Sequence, residues 1–156
     1  MFKLSIATLA VAFAILSAAA RPAIASDNAA VMATVHQFID GFNKGDTKSA
    51  VAACASPVSI IDEFPPHAWH GATACADWAR DSDANDKSAG ITDGFVTLGK
   101  PWQVQVNGDR AYVVVPATYT YKERGKAETE SGSIFTLALK KIANGWRITA
   151  WAWAAH

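Results

Sequence analysis

The chain has 156 residues, 51% hydrophobic and 18% charged, with 14 Lys+Arg balancing 14 Asp+Glu. Those totals combine two unlike segments. Residues 1–25 carry only Lys3 and Arg21 as charges, so the remaining residues 26–156 are mildly acidic. This balance speaks against a basic nucleic-acid-binding surface.

Lys3 precedes an uncharged run from Leu4 to Ala20, followed by Pro22 and the small-residue pattern Ala23-Ile24-Ala25. A positive start, an apolar stretch and an A-x-A site form a secretory signal peptide, with cleavage expected between Ala25 and Ser26. The alternative, an uncleaved anchor, needs a span of about 20 apolar residues, and no later segment is apolar enough to cross a membrane. The expected location is periplasmic or secreted, as a single soluble domain over 26–156, with no membrane association after cleavage. Export would place Cys54 and Cys75 in an oxidising compartment. Their even count fits one disulfide, while spacing alone equally allows two buried thiols.

In the remaining chain Val31, Val35, Phe38, Ile39 and Phe42 recur at helical spacing, with Asp27 or Asn28 as cap and Gly45 as terminator. Asp46 can cap a second, Ala-rich helix from Thr47 to Ala55, which Pro57 stops. Val58 to Phe64 reads as a strand, ended by Pro65-Pro66 and a loop carrying His67, Trp69 and His70. Ala72 to about Asn85 suggests a third helix. The period then changes. Phe95–Val106, Arg110–Lys122, Ser131–Ile142 and Trp146–Trp153 are rich in β-branched and aromatic residues, and Asn107-Gly108, Arg124-Gly125 and Asn144-Gly145 punctuate them. The result is an α+β domain: an antiparallel meander with helices on one face.

The order of these elements resembles the nuclear transport factor 2-like superfamily, in its SnoaL-like and ketosteroid-isomerase-like branch, over residues 28–154. Four local features carry the likeness. They are Phe42-Asn43-Lys44-Gly45-Asp46 between the first helices, the strand to Phe64 followed by His70-Gly71, Gly108-Asp109-Arg110-Ala111-Tyr112, and Asn144-Gly145-Trp146-Arg147-Ile148 with Trp153 near the end. The resemblance implies a cystatin-like roll: a cone-shaped, curved antiparallel sheet wrapped around three N-terminal helices, with an apolar pocket and frequent homodimerisation through the sheet. It also implies that Phe38, Asp62, Trp78, Tyr119 and Trp153 line that pocket.

Strand alternation puts Asp62 on the face of Val58 and Ile60, and Glu63 on the opposite face with Ser59 and Ile61. A carboxylate among aliphatic side chains is driven toward a pKa useful for proton abstraction. Asp62 also matches the position of the branch's general base. It is either such a base or a carboxylate that caps the loop or pairs with His67, His70 or Arg147. Phe38 stands where the branch has a tyrosine, and Ile134, Leu137 and Leu139 where it has a protonated aspartate. His67 and His70, with Asp62 and His36, fall short of a secure zinc site, so no metal and no cofactor is expected. On the last strand, alternation sends Trp151 and Trp153 to one face and Trp146 and Ile148 to the other.

The leading expectation is an exported domain binding a small, mostly apolar molecule. One alternative is a cofactor-independent isomerase, dehydratase or hydratase in which Asp62 removes a proton and His67 or His70 returns it. The other is a non-catalytic dimerisation or protein-association module.

Overall fold

The computed structural model of the chain describes residues 20–155, with side chains from Asp27 onward. Residues 1–19, most of the predicted leader, lie outside the described residues. Three helices, α1 (Ala20–Asn43), α2 (Thr47–Ala53) and α3 (Ala74–Ala89), accompany seven strands. The strands are β1 (Cys54–Ile61), β2 (Ala68–Gly71), β3 (Ile91–Leu98), β4 (Gln103–Asn107), β5 (Arg110–Glu123), β6 (Lys126–Ile142) and β7 (Gly145–Ala154). They form one curved, unclosed sheet in the order β2-β1-β7-β6-β5-β3, with β4 also on β5. Among the described residues no helix is long and apolar enough to cross a membrane.

The expected α+β architecture is present, with several boundaries moved for identifiable reasons. No breaker separates Pro22 from Gly41, so α1 continues back to Ala20 and Asp27 lies inside it rather than capping it. Asp27 instead pairs with Lys141 Nζ at 2.8 Å. Helix α2 ends at Ala53, and Cys54 already has extended backbone, so β1 starts four residues earlier than alternation indicated. Pro57 lies in the register shift of β1 against β7, where a missing donor is tolerated. The single predicted strand Phe95–Val106 is two strands, because Gly99, Lys100 and Pro101 interrupt it and each half pairs with a different part of β5. The loop holding Trp69 and His70 contains β2, hydrogen-bonded to β1. All strand pairs are antiparallel except β1 with β7, which is parallel, so the sheet is mixed.

The inner face of the sheet packs on α1. Val31, Val35, Phe38, Ile39, Ile148, Leu137, Leu139, Val113 and Val115 are buried there. Asn43 ties the end of α1 to β3, donating through Nδ2 to the Val96 carbonyl (2.8 Å) and accepting the Val96 N–H (2.7 Å). A disulfide joins Cys54, at the start of β1, to Cys75 on α3, with Cα atoms 6.5 Å apart.

Alternation fails along β7, and the failure is instructive. Leu139 faces Ile148 and Ala138 faces Ala150, so Thr149 is an extra residue, a β-bulge held by its Oγ1 donating to the Ala138 carbonyl (3.1 Å). One extra residue reverses the side-chain parity beyond it. Trp146, Ile148, Trp151 and Trp153 therefore all face inward, and the expected division of these residues between two faces is corrected. Deleting Thr149 would remove the bulge and its bend while leaving Trp151 and Trp153 facing inward. The deletion variant is expected to keep the near-ultraviolet circular dichroism of its buried tryptophans but to melt at a lower temperature, because the local twist supplied by the bulge is lost. Thr149→Ala, which removes one hydrogen bond, should cost only about 1 kcal/mol.

Candidate functional site

Between α1, α3 and the open end of the sheet lies a cavity of about 130 Å³, room for roughly ten waters by the measure on which one water needs 10–15 Å³. Its floor is aromatic. Phe38 packs against Trp78 (ring centroids 5.5 Å apart), Trp151 (5.7 Å) and Phe135 (6.1 Å), and Trp78 meets Trp151 edge-on at 4.9 Å. Phe42, Phe64, Tyr119, Tyr121 and Trp153 extend this wall. Tyr119 stacks on Tyr121 at 4.8 Å. Its hydroxyl lies over Gly94, where a Cβ would sit 2.6 Å from it, so only glycine permits this approach.

Phe38, Asp62, Trp78, Tyr119 and Trp153, the five residues expected at the pocket, all line the cavity. Asp62 sits just past the end of β1, where its Oδ2 accepts the Trp78 indole N–H (2.8 Å) and its Oδ1 accepts the Glu63 backbone N–H (2.8 Å). Burial pushes its carboxyl above the usual carboxylate value, more than these two donors pull it down, and Glu130 and Asp86 add repulsion.

His67 and His70 are exposed and do not reach the cavity. His70 Nδ1 lies 2.7 Å from Ser59 Oγ, and His67 Nδ1 lies 3.3 Å from the Asp62 carbonyl, not its carboxylate. Arg147 hydrogen-bonds the Trp146 carbonyl, away from Asp62. Among the described residues no set of three His, Cys, Asp or Glu side chains is arranged to hold a metal.

Alternation along β1 separates Asp62 from Glu63, yet both line the cavity because the strand ends at Ile61 and the chain turns. Glu63 belongs to a carboxyl pair with Glu130 of β6. Partial burial, repulsion from Glu130 and Asp62, and a hydrogen bond to Glu130 raise its pKa to about 7. Glu130 Oε1 accepts the Trp153 indole N–H (2.9 Å) and the Ser133 hydroxyl. Glu130 points inward because Gly132 is a second bulge: Ala117 faces Ser133 and Thr118 faces Ser131, with Gly132 extra at φ 86°. Asp86 of α3 completes the acidic set, its carboxyl also raised by burial. Sequence reasoning missed Glu130, Glu63 and Asp86. The one signal for Glu130 was Gly132, a glycine inside a strand pattern.

The fold and site define an α+β cone with an aromatic, carboxylate-bearing cavity. Residues 31–152 match the SnoaL-like domain, and the chain belongs to that family. Among solved structures it resembles a nuclear transport factor 2-like protein with a cystatin-like fold from Novosphingobium aromaticivorans (17% identity, TM-score 0.70, 88% of this chain and 86% of that one). It also resembles a ketosteroid isomerase-like protein from Erwinia carotovora atroseptica (17%, 0.66, 83% and 95%). A third, a nuclear transport factor 2-like superfamily protein from Salmonella enterica serovar Typhimurium, gives 16%, 0.70, 84% and 92%. At these identities the likeness concerns the fold alone. No curated protein matches the chain.

A raised carboxyl pKa binds a proton more tightly in the folded than in the unfolded chain, so its contribution to stability falls as pH rises between the two values. For Glu63 that window runs from 4.5 to about 7. Glu63→Gln should therefore match the wild-type melting temperature near pH 4 and exceed it near pH 8, with the gap opening across this window in a series of thermal melts. A constant gap would remove the folded-state shift.

Proposed function

We propose that this chain is an exported SnoaL-like domain that binds a small, mostly apolar molecule in its cone cavity, with Asp62 as a polar contact. The observation that carries this reading is the cavity wall: a continuous aromatic surface interrupted by a few fixed polar groups, the composition of small-molecule sites. The leader-like N-terminus and the Cys54–Cys75 disulfide support export.

Ser82 of α3 lines the cavity and is nearly buried, so Ser82→Phe would fill it. The neutral fluorophore N-phenyl-1-naphthylamine should bind the wild-type protein with one equivalent per chain, and Ser82→Phe should weaken that binding at least tenfold. Equal affinity in the two proteins, with Ser82→Phe still folded by circular dichroism, would sink the reading.

A second reading, a cofactor-independent proton transfer of the isomerase, dehydratase or hydratase type, is favoured by one feature. The raised carboxyl of Asp62 faces an apolar cavity, which suits a general base. The group placed to return the proton is then the Glu63–Glu130 pair rather than His67 or His70. Any molecule retained by the purified protein should exchange a C–H for deuterium in heavy water. Asp62→Asn should abolish the exchange while keeping the fold; undiminished exchange excludes Asp62 as base.

A further inference from the structure

The charge of the cavity is one-sided. Asp62 and Glu63 beyond β1, Asp86 on α3 and Glu130 on β6 all line it, and no Lys, Arg or His does among the described residues. Among the described residues none of the four takes part in an ion pair, although Asp77, Asp81, Asp83, Asp93, Asp109 and Glu128 all do so on the surface. Acids from three separate elements thus converge in one partly desolvated space without a compensating cation, an arrangement that costs free energy in the absence of a positive charge.

The aromatic wall has the matching character. The indoles of Trp78 and Trp153 donate their N–H edges to Asp62 and Glu130. Each such bond fixes the ring and increases the electron density on its face, the side an ammonium prefers. Trp151, only 4% exposed, also lines the cavity and adds a third indole to its wall.

We infer that the ligand of this cavity is an organic cation, an amine or quaternary ammonium on an apolar body, held between the aromatic faces and the Asp62, Glu63, Glu130 and Asp86 carboxylates. The inference rests on the small-molecule reading above and gives that molecule its chemical class. The same charges disfavour a carboxylate or phosphate ligand.

Three probes of similar size separate the possibilities by calorimetry: 2-phenylethylammonium, 2-phenylethanol and phenylacetate. Near pH 8 and at low salt, the ammonium should bind at least tenfold more tightly than the alcohol, and phenylacetate should not bind. The affinity of the ammonium should fall as pH drops through about 7 and Glu63 takes up a proton; the other titratable groups lining the cavity with Glu63 are Asp62, Asp86, Glu130, Tyr119 and Tyr121. The double variant Glu63→Gln, Glu130→Gln should reduce the ammonium-over-alcohol preference to less than threefold. Asp83→Asn, an exposed acid paired with Lys87, should leave it intact. Equal binding of ammonium and alcohol, or a preference for phenylacetate, overturns the cation while leaving the pocket. Binding of the neutral fluorophore but of none of the three probes does the same. Loss of fluorophore binding as well overturns the pocket itself.

Discussion

Side-chain parity is the constraint on which the site depends. A strand assigns successive residues to opposite faces, and nothing short of an inserted residue changes that assignment. Here Gly132 and Thr149 are each one residue too many for their partner strands. Beyond Gly132, Glu130 faces inward where strict alternation would have placed Ser131. Beyond Thr149, Trp151 and Trp153 face inward where alternation would have placed Ala150 and Ala152. The hydrogen bond from Trp153 to Glu130 therefore joins two residues that face each other only because both strands carry a bulge. Bulges also increase local twist and bend the strand, so the devices that aim the side chains contribute to the curvature that encloses them.

The cavity sets polar groups in an apolar wall, and its indoles reconcile the two. A carboxylate needs donors when it leaves water, and an ordinary polar donor would interrupt the aromatic surface. Trp78 and Trp153 supply an N–H at one edge and a broad apolar face beside it. Asp62 and Glu130 are thereby fixed in position without a cation in the wall. Glu63 has no such donor, and partial burial together with repulsion from Glu130 raises its carboxyl to about 7.

Much of this architecture was legible in the sequence, and the illegible part has a common cause. The helical period of Val31 to Phe42 and the Asn-Gly turns are local signals, and they correctly indicated the helices, the meander and the α+β class. Phe38, Asp62, Trp78, Tyr119 and Trp153 were all placed at the pocket by resemblance to the family's cone. Boundaries drifted where tertiary pairing overrode local preference: Cys54 joins a strand because β7 lies beside it, and the Trp69 segment becomes β2 because β1 offers an edge. Glu130 and the inward turn of Trp151 were illegible because a bulge is defined by the partner strand, which one sequence segment does not display. His67 and His70 looked available because they lie close to Asp62 in sequence. The turn after Ile61 sends the Asp62 side chain toward α3 and leaves both imidazoles outside.

The cone divides its tasks by depth. Its closed end is aliphatic and fully packed, with Val31, Val35, Leu139, Ile148 and Val113 excluded from solvent. Every cavity carboxylate lies past the last buried residue of its own segment: Asp62 and Glu63 beyond Ile60, Asp86 beyond Ser82, and Glu130 before Ser133. The electrostatic cost of gathering four acids is therefore confined to the open rim, where water still screens part of it. The same placement makes the rim chemically adjustable. A change of charge at Glu63 alters no contact of the aliphatic core, whereas Glu130 also accepts the hydroxyl of buried Ser133 and the Trp153 indole N–H, so the same change there would leave two donors to find other partners.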